Sequence, residues 1–136
     1  MPHVNVKLVK QQNDGNSKQQ IIDGIMDIIV NIMGRDRNFT VINLEEVDAS
    51  NWYIGGKPLS QKAGNHGGLI YVEIKISKGT SSAAQMLEVI KAGRELVKKV
   101  LGSCDITNYF VINELNPDAW GYDGISMTER NRLENL

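Results

Sequence analysis

The chain has a single cysteine, Cys104, so no intrachain disulfide can form. Its only histidines, His3 and His66, lie far apart and read as surface residues, so no Cys/His cluster has the spacing of a metal site. No metal and no cofactor is expected. Basic and acidic residues nearly balance, 15 against 16, for a formal net charge of −1, and no block of lysines and arginines breaks that balance. The electrostatic footprint of a nucleic-acid binder is therefore missing. No basic N-terminal stretch leads into an apolar run, and no segment of about 20 apolar residues occurs anywhere. The expectation is a cytoplasmic protein with neither a nucleic-acid nor a membrane partner, and 136 residues suit one compact domain.

What the chain does have is an internal repeat. A shift of 68 residues carries Gly34 onto Gly102, Trp52 onto Trp120 and Gly56 onto Gly124. The same shift carries Ile21, Ile22, Ile28, Ile29, Ile32 and Met33 onto Val89, Ile90, Leu96, Val97, Val100 and Leu101. In the first copy, Val4, Val6 and Leu8 alternate with Asn5 and Lys7, the period of a strand with one buried face. A polar loop with Asp14-Gly15 follows, then Ser17 and Gln20 in capping-box spacing. The apolar positions 21, 22, 25, 28, 29, 32 and 33 form one helical stripe, which Gly34 is placed to end. A charged turn at 35–38 leads to a strand over 39–47 and a turn-rich stretch through Trp52 to Gly55-Gly56.

Residues 57–68 read as a linker with hairpin-like ends. The second copy has a strand with Ile70, Val72, Ile74 and Ile76 on one face, and a helix with a capping box at Ser82 and Gln85 that ends at Gly102. A strand over 108–115, a second tryptophan loop and a short charged terminal helix from Met127 complete it. Residues 1–68 are thus the first unit with its linker, and 69–136 the second with its tail. Each unit is β-α-β, with parallel strands and a right-handed crossover. Two tandem units predict an α/β fold, a four-stranded sheet with both helices on one face. Val41, Val47, Tyr71, Tyr109 and Val111 have the opposite strand parity, and that apolar surface predicts burial against other chains.

Chemistry points to the start of the chain. Pro2 directly follows Met1, and removal of Met1 exposes a secondary amine. An α-amino group titrates near pH 8 when unperturbed, roughly 7.7 to 8.0, and falls toward neutrality when partly buried beside positive charge. Such a base suits proton abstraction next to a carbonyl.

A Pro-first strand, an amphipathic helix ending in Gly, a strand closing on Glu45-Glu46, and the turn Asn51-Trp52-Tyr53-Ile54-Gly55-Gly56 together resemble the 4-oxalocrotonate tautomerase group of the tautomerase superfamily. The doubled unit matches its fused members, well over residues 2–58 and more loosely over 70–124. The resemblance implies that Pro2 is a general base acting on a 2-hydroxydienoate or 2-oxo acid, interconverting enol and keto forms as an isomerase. In some branches the proline is instead a general acid, which here implies a hydratase or decarboxylase on a small unsaturated or 3-oxo acid. It also implies an aromatic wall at Trp120 or Trp52, with Trp120 favoured at Pro2 because the partner copy closes that pocket, and a homotrimeric assembly. Ile70 stands where a second base would be and, being internal, has no amine. The family's carboxylate-binding arginines are not matched: Gln12 and Thr80 stand at one position, Val41 and Tyr109 at the other. For a carboxylic acid substrate there remain Lys78, one step before Gly79, as a positive charge near Pro2, and Arg35 or Arg37 from the turn of a neighbouring copy. The paired arginines of dehalogenating members are missing, which argues against a halo-acrylate. A repeat that kept the fold and oligomer but lost the anion pocket would be a non-catalytic binding module.

Overall fold

The computed structural model describes residues 2–10, 15–61 and 68–136; Met1, Gln12, Asp14 and linker positions 62–67 with His66 lie outside the described residues. Alternation of Val4, Val6 and Leu8 produces β1 (His3–Val9), with those three side chains buried. Helix α1 (Ser17–Asn31) follows and buries Ile21, Ile25, Met26 and Ile29. The expected capping box does not open it. Ser17 is already helical, Asn16 is the N-cap without a side-chain bond, and the Gln20 N–H that a cap would take bonds to the Asn16 carbonyl at 2.9 Å. Past the helix Gly34 adopts φ 67°, and the chain reverses. The Asp36 carboxylate accepts from the Asn38 N–H and holds 37–39 as a 3-10 turn, so the second strand starts later than the sequence suggested, as β2 (Val41–Val47).

The turn-rich stretch is a two-residue hairpin, β3 (Tyr53–Ile54) paired with β4 (Lys57–Pro58). Gly55 and Gly56 both have positive φ, 62° and 79°, as such a turn demands. The second copy repeats each part: β5 (Ile70–Ser77), α2 (Ala83–Leu101), β6 (Tyr109–Leu115), then a hairpin of β7 (Gly121–Tyr122) and β8 (Ile125–Ser126). Its turn holds Asp123, at φ 55°, where the first copy has glycine. The Ser82 hydroxyl accepts from the Gln85 N–H as expected, and α2 ends at left-handed Gly102. The Gln85 side chain, however, donates to the Ile32 carbonyl at 2.8 Å and ties the start of α2 to the end of α1. Helix α3 (Met127–Glu134) closes the chain.

The main sheet has the order β2-β1-β5-β6, with β1 and β5 antiparallel at its centre and each outer strand parallel to its neighbour. This is the α/β architecture the repeat predicts. Both helices cover one face, where the apolar strand residues and the helix stripes form one core. Packing there is close: a Cβ on Gly93 would lie 2.7 Å from the Phe110 ring, and one on Gly24 would meet Leu96. The other face is left open by this chain. Val41 and Tyr109 are 54% and 69% exposed on it. A polar ladder crosses it, in which Asn43 Nδ2 donates to Asn5 Oδ1 (2.9 Å), and Asn5 and Asn113 each donate an amide to Glu73 (3.2 and 3.1 Å).

Candidate active site at the Pro2 end of the sheet

The antiparallel centre decides what surrounds Pro2. His3 pairs with Lys75, so the start of β1 lies beside the end of β5, and the second copy's closing loops come to the first copy's first residues. Pro2 is wholly buried, and its carbonyl accepts from the Val41 N–H at 3.3 Å, which fixes it against β2. It continues the core-facing parity of Val4 and Val6.

Trp120 belongs to this end. Its indole N–H donates to Ser77 Oγ at 2.9 Å, and Ser77 is the last residue of β5. Trp52 does not: it packs with Val9, Leu59 and Leu69 at the opposite end of β1. The two tryptophan loops are nevertheless built alike, since Leu59 N–H bonds to the Trp52 carbonyl and Met127 N–H to the Trp120 carbonyl, each at 2.9 Å. Position 9 of the repeat is valine and position 77 is serine, which converts an apolar contact into an oriented hydrogen bond on one side only. Ser77 was missed in the sequence reading. The valine-to-serine change under the repeat shift was the signal that could have found it.

A second aromatic layer comes from residues that sequence reasoning did not single out. Tyr122, in the β7-β8 hairpin, stacks at 5.6 Å on Phe39, which leads into β2 beside Pro2. The Arg130 guanidinium lies 3.9 Å over the Tyr122 ring and donates to the Tyr122 carbonyl at 3.0 Å. Phe39 and Tyr122 come from different copies of the repeat, and local pattern carries no trace of such a pairing.

The cations divide as follows. Lys78 is exposed at the end of β5, with its N–H on the Leu115 carbonyl at 2.8 Å. Arg37 turns back to Asp27 on α1, 3.6 Å away, and is largely exposed. Arg35, two residues earlier, reaches the β5-α2 loop, where Nη2 is shared by the Thr80 carbonyl (3.1 Å), Thr80 Oγ1 (2.9 Å) and Ser81 Oγ (2.9 Å). Burial lowers the Arg35 pKa from its ordinary value, while leaving it a cation. Tyr109 stands at the other end of the sheet, opposite Tyr71, and is exposed. Ile70 at that end donates its N–H to Asn108 Oδ1 at 3.0 Å, an ordinary buried backbone group. Within one chain, Pro2, Trp120, Lys78 and Arg35 thus share one end, and Trp52 and Tyr109 share the other.

Among the described residues no group of three or more His, Cys, Asp or Glu side chains could hold a metal ion. No helix there is long and apolar enough to cross a membrane.

Comparison with known proteins bears on the same residues. The profile of the family described as "Tautomerase enzyme" matches residues 2–62. A probable tautomerase of Dickeya dadantii (strain 3937) is 32% identical over 62 residues, which cover 46% of this chain and 92% of that protein. A probable tautomerase of Helicobacter pylori (strain J99 / ATCC 700824) is 33% identical over 61 residues, 43% of this chain and 90% of that protein. Among solved structures, a fused 4-OT described as a symmetric trimer superposes with a TM-score of 0.80 at 17% identity, over 96% of this chain and 99% of that one. Another native fused 4-OT gives 0.79 at 19% identity, over 93% and 96%. The family profile thus lies on the first copy, the probable tautomerases match less than half of the chain, and the fused structures share the fold of the whole chain.

Proposed function

Because this chain belongs to the tautomerase family, we propose that it is an isomerase interconverting the enol and keto forms of a 2-hydroxydienoate or 2-oxo acid, with the amine of Pro2 as general base. The observation that carries the reading is the complete burial of Pro2 at the end of the sheet that also holds Trp120 and Arg35. In the ketonising direction the Pro2 nitrogen accepts the proton of the 2-hydroxyl as the C2–O bond becomes a carbonyl. The conjugate acid then returns a proton to the carbon end of the enol, so the reaction is redox-neutral and consumes nothing. Trp120 and Tyr122 keep water from the base, and a cation holds the carboxylate. The repeat-related end has Ile70 and no amine, so one chain holds one catalytic end. The assembly we propose is a homotrimer with the open sheet face inward, where Val41, Tyr109 and the polar ladder would be covered; a fused neighbour is described as a trimer.

The test is ketonisation of phenylenolpyruvate, followed by absorbance, for protein beginning at Pro2 and protein retaining Met1. An acylated proline nitrogen has no usable lone pair, so the Met1-retaining form should be folded, trimeric and slower by at least about a hundredfold. Pro2→Ala, which keeps a primary amine but loses the ring that directs it, should fall between the two. Equal rates for the first two forms, with N-terminal sequencing to identify them, would refute the proline mechanism.

A further inference from the structure

Among the described residues Ser77 is the one buried residue with a polar side chain; every other buried side chain is apolar. A buried hydroxyl is unfavourable unless its hydrogen bonds are made. Half of that demand is met. Ser77 Oγ accepts the Trp120 indole N–H at 2.9 Å, so its own proton points away from the indole, and among the described residues no acceptor takes that proton. The backbone around it is pinned. Its carbonyl accepts from Thr80 Oγ1 at 2.6 Å, and the next N–H, of Lys78, bonds to the Leu115 carbonyl at 2.8 Å. The equivalent residue of the first copy is Val9, whose apolar side chain packs with Trp52, so neither the fold nor the tryptophan loop requires a hydroxyl at this position.

Its place relative to Pro2 follows from the register. In the antiparallel pair of β1 and β5, Val4 lies opposite Ile74 and His3 opposite Lys75. One further step sets Pro2 against Ile76, and the next sets Ser77 against the space beyond the Pro2 nitrogen. The bond to Met1 leads there in the unprocessed chain; once Met1 is removed, an atom that exchanges a proton with the nitrogen must come to that space. In the reaction proposed above this atom is the oxygen at C2 of the enol, which gains negative charge as it gives its proton to Pro2. A donor already held at such an oxygen lowers the barrier, because nothing has to reorganise as the charge develops. We propose that Ser77 is a catalytic residue of this site, its hydroxyl donating a hydrogen bond to the C2 oxygen of the substrate. The inference rests on the reading of Pro2 as the base. The hydroxyl forms and breaks no covalent bond, and the transferred proton passes only between substrate oxygen, Pro2 and substrate carbon. Trp120 gains a second part, since its N–H turns the Ser77 proton toward the substrate and strengthens the hydroxyl as a donor.

Ser77→Ala in protein beginning at Pro2 should lower kcat for phenylenolpyruvate by about a hundredfold and change KM by less than about threefold, the pattern of a contact that strengthens as charge develops. Ser77→Val, which copies the valine at position 9, should behave alike, and it carries the test if Ser77→Ala loses its far-UV spectrum. Ser77→Thr keeps the hydroxyl and should return kcat to within about tenfold of wild type. Added to Trp120→Phe, Ser77→Ala should lower kcat by at least about tenfold more. No further loss would mean that Ser77 acts only by holding the indole, and would overturn the proposal. Binding separates the contact from the Pro2 mechanism. Phenyllactate and hydrocinnamate differ only in the hydroxyl at C2, and neither is an enol. Calorimetry should show Ser77→Ala weakening phenyllactate by about fivefold and hydrocinnamate by less than about twofold. Equal effects on the two acids, or an unchanged kcat, would overturn the assignment. A preference for phenyllactate that depends on Ser77, in a protein that does not turn over the enol, would uphold the oxygen contact and refute the Pro2 base.

Discussion

Replacing Glu73 tests the open face of the sheet, because its two carboxylate oxygens serve different partners. Oε1 accepts from Asn5 and Oε2 from Asn113, while Asn5 is itself committed as the acceptor for Asn43. A glutamine at 73 has one acceptor oxygen. It can keep Asn5 only by turning its own NH2 toward Asn113, which must then flip its amide to offer oxygen. Two charge-assisted bonds become two neutral ones, a loss of about 1–2 kcal/mol. Glu73→Ala leaves two amide donors without acceptors and should cost more, about 2–4 kcal/mol. The pH dependence follows from the same bonds. The amides of Asn5, then Asn113, hold the Glu73 carboxyl below its usual pKa against the opposing effect of burial, with Lys75 and His3 adding a little. A depressed folded-state pKa means that the stabilisation is complete above the unfolded value, about 4.3, and is lost as pH falls through the folded value. Urea midpoints at fixed protein concentration should therefore separate wild type from Glu73→Gln at pH 7.5, and the gap should narrow as the pH is lowered below 4. A gap that stayed constant over that range, or none at neutral pH, would refute the ladder as a source of stability.

Trp120→Phe should cost turnover and about 0.5–1.5 kcal/mol of stability, since Ser77 Oγ loses its donor. Trp52→Phe should change the urea midpoint but not kcat/KM, because Trp52 packs at the far end of β1. An affinity label aimed at a prolyl amine should attach once per chain by mass spectrometry; two sites would contradict the assignment of one catalytic end. Gly93→Ala drives a methyl into the Phe110 ring and should destabilise by about 1–3 kcal/mol in urea unfolding, with much of the loss recovered when Phe110→Leu is added.

The strands and helices were legible because each has one buried face, and Val4, Val6 and Leu8 or the stripe from Ile21 to Met33 show the matching period. The repeat was legible because the shift of 68 that carries Trp52 onto Trp120 also carries β2 onto β6, residue for residue. The polar ladder was not, since Asn5, Asn43, Glu73 and Asn113 on alternating strand positions look like a solvated face. Nor could sequence decide between Arg35 and Arg37. They sit two apart in one turn, and only the packed positions of Asp27 and of the Thr80 loop send one cation to the helix surface and the other across the end of the sheet. The start of α1 was misread for a local reason: the Asn16 carbonyl satisfies the Gln20 N–H and leaves Ser17 nothing to cap.

At the centre of the sheet Asn5 faces Glu73 across the antiparallel pair, and those two positions are also equivalents under the repeat. Two identical first units meeting through the same edge would set asparagine against asparagine. Two identical second units would set carboxylate against carboxylate, which repel when directly opposed. Only the mixed pairing gives an anion its amide donor. Fusion of the halves has thus let a site on the axis carry two different side chains, and with them a preference of each half for the other over itself.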